Sequence, residues 1–164
     1  MKYLLSLLFV FTLWSWNSRV QALGDTTSTS YTMSKQDSLV TFAMKFIGID
    51  YCRGGKSKSC FDCSGFVYTM FAKFGIDLPR TSASQATVGK AVKDRKDIRR
   101  GDIIYFKGRN RKSKKVGHVG IVVQNDGYSI MFIHASTNHG IRLEELETSA
   151  YYKARFMGAR RLIP

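Results

Sequence analysis

The predicted fold of this chain depends on residues 117–135, which read Gly-His-Val-Gly-Ile-Val-Val-Gln-Asn-Asp-Gly-Tyr-Ser-Ile-Met-Phe-Ile-His-Ala. Apolar residues dominate both halves of the stretch. The Asn-Asp-Gly sequence at 125–127 between them is a strong hairpin turn. We therefore predict strands at residues 118–123 and 128–135 that pair antiparallel.

Two further stretches, 103–106 and 154–162, also have strand character, and helical patterns precede all of these strands. Ser34 can cap a helix that runs to about residue 46. A second, strongly apolar helix is predicted from Cys63 to about residue 74, and a short third one at residues 82–89. Helices followed by a run of strands indicate an α+β fold, in which N-terminal helices pack on a central antiparallel β-sheet.

The N-terminal sequence has the features of a secretory signal peptide. Lys2 precedes an apolar run over residues 3–16, and Val20 and Ala22 are the small residues expected before a cut. The run is shorter than the roughly 18–20 residues of a membrane span, and no nearby cysteine could carry a lipid anchor. We predict a cleaved signal peptide at 1–22, a flexible leader at 23–33 and one domain at 34–164. The mature protein would be periplasmic or secreted.

The composition is that of a globular domain with a strong basic bias. Lys and Arg number 26 against 12 Asp and Glu, which gives a net charge of +14. This charge excludes an acidic solvating protein and favours anionic partners. The basic loop at residues 107–115 is either simply solvated or attracted to an anionic wall or membrane surface. Its cations are Lys107, Arg109, Arg111, Lys112, Lys114 and Lys115. A nucleic-acid partner is not expected without an aromatic-interleaved groove, and we expect a monomer.

Three residues could carry nucleophilic chemistry. Cys63 begins the second predicted helix, where unpaired backbone N–H groups favour the thiolate and can lower the pKa of a thiol below its usual value of about 8.5. The alternative is a buried, inert cysteine. His118 opens one strand of the predicted hairpin and His134 ends the other, so antiparallel pairing brings them to the same end of the sheet. One histidine could act as general base while the other orients it.

The chain resembles the NlpC-type family of papain-like cell-wall endopeptidases from about residue 34 to its C-terminus. The resemblance rests on six segments in order, which are Tyr51 with Gly54-Gly55, Asp62-Cys63-Ser64-Gly65-Phe66, Leu78-Pro79-Arg80-Thr81-Ser82 with Gln85, Gly101-Asp102-Ile103-Ile104-Tyr105-Phe106, Gly117-His118-Val119-Gly120-Ile121 and Phe132-Ile133-His134-Ala135.

The resemblance implies a papain-like α+β fold and a function for each motif. Cys63 would be the nucleophile, His118 the general base and His134 the residue that orients it, and Tyr51 would help to stabilise the oxyanion. The substrate-binding positions would be Asp62, Ser64, Arg80 and Ser82. The family's substrates are peptidoglycan stem peptides cut next to D-glutamate or diaminopimelate, and Asp62 could hold a substrate ammonium. The resemblance implies no cofactor and no metal.

The other two cysteines leave their pairing open. Cys52 and Cys60 bracket a loop that the family pattern does not require, and they could form a disulfide that leaves Cys63 free. Cys60 and Cys63 instead form a C-x-x-C, which would indicate redox chemistry or half of a zinc site.

The sequence thus predicts an exported cysteine endopeptidase that hydrolyses amide bonds in peptidoglycan stem peptides or cross-links. Two alternatives remain. One is a non-catalytic wall-binding module on the same fold, and the other is a related amidase or acyltransferase that uses the same three residues.

Overall fold

The structure is a computed structural model that describes residues 32–164. The predicted signal peptide and residues 23–31 of the predicted leader lie outside the described residues. The helices are α1 (Lys35–Met44), α2 (Cys63–Ala72), α3 (Ser82–Gln85) and α4 (Ala150–Lys153), with a 3₁₀ turn at Arg95–Asp97. The strands are β1 (Lys56–Ser57), β2 (Cys60–Phe61), β3 (Lys90–Val92), β4 (Ile103–Lys107), β5 (Val116–Asn125), β6 (Ile130–Ser136), β7 (Gly140–Glu145) and β8 (Phe156–Arg161).

Six of these strands form one antiparallel sheet with the order β3-β8-β4-β5-β6-β7. The hairpin predicted from the Asn-Asp-Gly turn lies inside this sheet, where β5 and β6 pair through Ile121 opposite Ile133. A separate two-stranded hairpin, β1-β2, lies just before α2. The α+β prediction, with N-terminal helices packed on an antiparallel sheet, is confirmed.

Side-chain caps define where the first two helices begin. The Ser34 hydroxyl accepts a hydrogen bond from the Asp37 backbone N–H at 3.0 Å, and the Asp62 carboxylate accepts one from the Gly65 N–H at 2.6 Å. Each cap satisfies one of the N–H groups that a helix start leaves unpaired. The cap at Asp62 also fixes Cys63 as the first residue of α2.

Two apolar clusters cover the sheet. The larger one joins the buried faces of α1 and α2 to the sheet, with edge-to-face aromatic contacts from Phe46 to Phe61 and from Phe61 to Phe66 at 5.6 and 5.8 Å. The smaller cluster contains Phe106 and Phe132, whose rings lie 5.0 Å apart. Alternation along the central strands supplies both clusters.

Several short elements differ from the sequence prediction. The third helix ends at Gln85 and not at residue 89. The last strand begins at Phe156 because residues 154–155 form the turn that follows α4. Strands β3 and β7, which lie at the two edges of the sheet, were not predicted. Both have mixed polar and apolar sequences, so only pairing with a neighbouring strand defines them. Within residues 32–164, no helix has the length and apolar character needed to cross a membrane.

Candidate active site

Cys63 is the free cysteine of the described chain and stands at the first position of α2. Backbone N–H groups of Val119, Ser64 and Cys63 itself lie within hydrogen-bonding reach of its sulfur. Burial nevertheless raises the pKa of the thiol, and the neighbouring Asp62 carboxylate raises it further. The expected lowering of the Cys63 pKa is therefore wrong, because the helix terminus is outweighed by desolvation and by a like charge. The resting site holds a neutral thiol.

The two histidines form a direct pair at one end of the sheet. His118 Nε2 and His134 Nδ1 are 3.0 Å apart, and the ring planes are nearly perpendicular at 84°. Phe106 and Phe132 pack against the pair, and the Tyr152 ring lies 5.5 Å from His118 and 4.9 Å from His134. The rings are therefore held by aromatic packing on several sides.

Gly120 makes this pairing possible. A Cβ atom at this position would come within 2.8 Å of the Ile133 carbonyl oxygen and 3.2 Å of His134 Cβ. Since real Cβ atoms essentially never approach other atoms to less than 3.0 Å, a side chain here would displace the strand that carries His134. The second glycine of the Gly-His-Val-Gly motif thus lets β6 approach β5 closely beside the pair.

Both imidazoles are neutral near neutral pH. Burial lowers the pKa of His118 to about 4. Burial also lowers the pKa of His134 well below its usual range, and repulsion from His118 and Arg142 lowers it further. A buried neutral imidazole can accept a proton at one nitrogen while its other nitrogen donates a hydrogen bond.

Sequence reasoning missed three side chains around His134. Tyr152 places its hydroxyl 3.4 Å from His134 Nδ1. Glu144 Oε2 lies 4.0 Å from His134 Nε2, an atom that is buried and has no hydrogen-bond partner within residues 32–164. Arg142 Nε in turn lies 3.3 Å from Glu144 Oε2. None of these residues belongs to a motif, and tertiary packing alone brings them to the site.

Asp62 and Arg80 form an ion pair directly before the nucleophile. Arg80 Nη1 and Nη2 donate to the two carboxylate oxygens of Asp62 at 2.9 and 2.7 Å. The Gly54 and Gly65 N–H groups and the Ser64 hydroxyl also donate to this carboxylate. Five donors fill the roughly four acceptor positions of a carboxylate. A substrate ammonium could therefore bind Asp62 only by displacing one of these donors.

The other predicted substrate-binding residues differ in accessibility. Ser64 is only 6% exposed, and its hydroxyl also accepts a hydrogen bond from Arg80 at 3.0 Å. Ser82 is half-buried at the first position of α3. The roles of these residues in substrate binding stay predictions.

The loop before α2 carries Tyr51 and the two remaining cysteines. The structure joins Cys52 and Cys60 by a disulfide, so the alternative C-x-x-C pairing of Cys60 with Cys63 does not form. Tyr51 bridges to Phe61 in the backbone, and its phenol lies near the Thr137 side chain. Burial raises the pKa of Tyr51, and the charge of a Cys63 thiolate would raise it further, because the two side chains are close.

One backbone group connects the surroundings of the Cys63 thiol to the imidazole pair. Val119, whose N–H approaches the Cys63 sulfur, directly follows His118 in β5. Across residues 32–164, the structure gives no direct hydrogen bond between Cys63 and His118, and such contacts often tighten only when substrate binds. The described residues also contain no group of three or more His, Cys, Asp or Glu side chains that could hold a metal ion.

A helix-start thiol beside an imidazole, itself paired with a second polar group, is the arrangement of cysteine-dependent acyl-transfer enzymes. Residues 48–161 match the model of the NlpC/P60 family. The chain therefore belongs to the NlpC/P60 family, a family of cysteine peptidases.

Individual relatives agree with this assignment. The chain is 38% identical over 117 residues to the murein DD-endopeptidase MepS/murein LD-carboxypeptidase of Escherichia coli, an alignment that covers 71% of this chain and 57% of that protein. It is 30% identical over 138 residues to the probable endopeptidase NlpC homolog of Haemophilus influenzae, covering 84% of this chain and 68% of the relative. The chain thus matches little more than half the length of the Escherichia coli protein.

A solved structure gives the same result. The crystal structure of an NlpC/P60 family protein from Bacillus cereus superposes with a TM-score of 0.71 and 31% identity. The match covers 81% of this chain and 42% of the Bacillus cereus chain.

Proposed function

We propose that this protein is an exported cysteine endopeptidase that hydrolyses amide bonds in the peptide part of peptidoglycan. The observation that carries the proposal is the 3.0 Å pair of His118 Nε2 and His134 Nδ1. Val119, the residue after His118, brings its backbone N–H to the sulfur of the free Cys63 at the start of α2. The names of the relatives, which include a murein DD-endopeptidase, support peptidoglycan as the substrate. A disulfide between Cys52 and Cys60 fits an oxidising compartment outside the cytoplasm.

The chemistry follows from the neutral state of both groups. As the Cys63 sulfur attacks the carbonyl carbon, its proton passes to His118 Nδ1, because Nε2 is engaged with His134. Tyr51 and the Cys63 backbone N–H stabilise the tetrahedral oxyanion. His118 then gives the proton to the leaving nitrogen, and the C–N bond breaks to leave a thioester. Water attacks the thioester with His118 again as base, which releases the acid and regenerates the thiol.

Glu144 selects the tautomers that this sequence of steps needs. A carboxylate 4.0 Å from His134 Nε2 favours a proton on that nitrogen, which leaves His134 Nδ1 as an acceptor. His118 then donates its Nε2–H to His134 and keeps Nδ1 unprotonated as the base. The opposite tautomers would place a proton on His118 Nδ1 and block proton transfer from the thiol.

The acyl side of the scissile bond faces the Asp62–Arg80 ion pair, and the departing amine lies on the histidine side. We infer a stem peptide or cross-link that contains D-glutamate or diaminopimelate as the substrate. Asp62, Ser64, Arg80 and Ser82 contribute to the acyl-side surface. Asp62 and Arg80 bind as a charged pair, because neither side chain is free of the other.

Mass spectrometry of purified peptidoglycan fragments after incubation with the mature protein tests the proposal. We expect new stem-peptide products with the native protein and none with Cys63→Ala. His118→Ala should also abolish product formation, because the thiol then has no base. Thr41→Ala on the exposed face of α1 serves as the matched control and should behave as the native protein.

Three outcomes would contradict the proposal. Products that persist with Cys63→Ala would show that the thiol is not the nucleophile. A native protein with a reduced thiol that binds wall sacs but releases no product would favour a wall-binding module. Products with a new ester or amide bond, in place of a hydrolysed one, would identify the related acyltransferase.

A further inference from the structure

A cavity of about 460 Å³ lies beyond the histidine pair, where none of the sequence motifs reaches. Its walls come from the loop after β6, from β7, from α4 and from the basic loop between β4 and β5. Its lining includes Arg109, Thr137, Arg142, Glu144, Tyr151 and Tyr152. We call it the arginine cavity.

The arginine cavity borders the candidate active site through two of its lining residues. Tyr152 lines the cavity, and its ring packs on both His118 and His134. Thr137 lines it as well and lies near the Tyr51 phenol, which is itself close enough to Cys63 for a thiolate charge there to raise the pKa of Tyr51. A group bound in the cavity therefore lies on the histidine side of the candidate active site.

Cations dominate the charge of the cavity. Glu144 is the one carboxylate among the described lining residues, and it is already paired with Arg142 Nε. The Nη atoms of Arg142 have no hydrogen-bond partner within residues 32–164, and the side chain is 43% exposed. Arg109 is exposed and forms no ion pair in the described part of the chain. Two guanidinium groups thus face the cavity with donors to spare.

Arg155 holds the two walls in a fixed arrangement. Its Nη1 donates to the Tyr151 carbonyl at 3.1 Å and its Nη2 donates to the Arg109 carbonyl at 3.3 Å. Its guanidinium also lies 3.7 Å from the centroid of the Tyr151 ring. These contacts connect α4 to the basic loop. The two walls of the cavity are therefore in position before any ligand binds.

We propose that the arginine cavity binds a carboxylate on the residue whose amine leaves during cleavage, a specificity that rests on the proposed function. His118 must hand its proton to the leaving nitrogen, so the departing residue lies on the histidine side of the thiol. A residue that leaves through an α-amine, or through either amine of diaminopimelate, carries a carboxyl group on the carbon next to that nitrogen. When that group is free, it matches the fork of donors on Arg142, with Arg109 as a second cation.

The test uses two cross-linked stem peptides that differ in one group. One carries a free carboxylate beside the scissile nitrogen, and the other carries a carboxamide there. Both are titrated calorimetrically at low ionic strength into the mature chain with Cys63→Ala, which keeps them intact. Cleavage by the native thiol is measured in parallel as kcat/KM.

We expect the carboxylate peptide to bind about tenfold more tightly than the carboxamide, which corresponds to one charge-assisted hydrogen-bond pair on a partly exposed site. Arg142→Gln should bring the ratio of the two dissociation constants, carboxamide over carboxylate, close to one, and Arg109→Gln should reduce this ratio. Lys153→Gln removes an exposed cation of α4 that does not line the cavity, and it should keep the full ratio.

The outcomes separate this inference from the proposed function. Equal binding of both peptides, no binding of either, or a ratio that survives in both arginine variants overturns the inference, even if the native protein cleaves. A tenfold ratio that Arg142→Gln removes supports the arginine cavity, even if no cleavage occurs and the proposed function fails.

Discussion

Partial burial of the Cys63 thiol and the His118 imidazole decides how the pair can work in the proposed mechanism. Burial raises the pKa of the thiol and lowers the pKa of the imidazole to about 4. Both shifts oppose a resting thiolate–imidazolium pair. In the proposed mechanism the proton therefore moves during the attack itself, and the orientation of His118 by His134 matters more than in a site with a preformed ion pair.

The first prediction concerns the acid limb of the pH profile. His118 accepts the proton only when it is neutral, so kcat/KM should stay constant as the pH falls from 7 and decrease below about 4. The alkaline limb should lie above the usual pKa of a thiol, because the pKa of Cys63 is raised. The measurement is kcat/KM against pH on a soluble stem peptide, with circular dichroism at each pH to verify folding. An acid limb near 6.5 in folded protein would contradict the prediction.

Residue patterns predicted the candidate catalytic residues but not their surroundings. Cys63 stands out because a cysteine follows a capping Asp, and the histidines stand out because they flank a hairpin turn. Tyr152 and Glu144 have no such local pattern. They reach His134 only because α4 and β7 pack beside it. The direction of the Cys63 pKa shift was missed for the same reason, since burial is not a local property of sequence.

At the scale of elements, the loop between α1 and α2 depends on its disulfide. The loop carries Tyr51 and the β1-β2 hairpin, and it approaches α2 so closely that a Cβ at Gly65 would overlap the Gly55 carbonyl oxygen. Only backbone atoms fit between the loop and the helix. The position of Tyr51 relative to Cys63 thus follows from the conformation of a short, cross-linked segment.

The second prediction concerns this disulfide. A Cys52→Ser/Cys60→Ser double variant should lose about 2 kcal/mol of unfolding free energy, because a closed loop of this length restricts the unfolded chain. We expect Tm to fall by roughly 5–10 °C. Cleavage should slow through kcat, since Tyr51 loses its support. Calorimetry and kinetics measure both effects.

The matched control for the disulfide is Ser57→Ala/Ser59→Ala, which makes two substitutions in the same hairpin and removes only an exposed hydroxyl contact. A double variant that shares the Tm of this control would exclude a structural role for the disulfide.

Over the whole molecule, the excess of positive charge is concentrated on exposed residues. The net charge is +14, and the basic loop between β4 and β5 presents Arg109, Arg111, Lys112, Lys114 and Lys115 at the surface. The loop leads directly into the strand that carries His118. Attraction to an anionic wall would therefore bring the candidate active site towards its substrate.

The third prediction tests whether the position of the charge matters. Changing Lys112, Lys114 and Lys115 to Gln should weaken binding to isolated wall sacs about tenfold at low salt, with a smaller effect at high salt. The control changes Lys35, Lys45 and Lys73 to Gln, which alters net charge equally on other exposed surfaces. Cosedimentation measures binding. An equal loss in both variants would mean that net charge acts without the loop.

The sequence by itself determined the α+β class, the central hairpin and the residues of the candidate triad. Each of these depends on a local pattern, such as a turn between apolar runs or a cysteine after a capping residue. The edge strands β3 and β7 were missed because their mixed sequences become strands only through their neighbours.

Only the tertiary structure decided the chemical state and the surroundings of the site. The neutral thiol, the filled Asp62 carboxylate and the arginine cavity all result from burial or from contacts between residues far apart in the chain. Such contacts depend on how the elements pack. Desolvation and charge pairing act through space, so they are set by the folded structure and not by the local sequence.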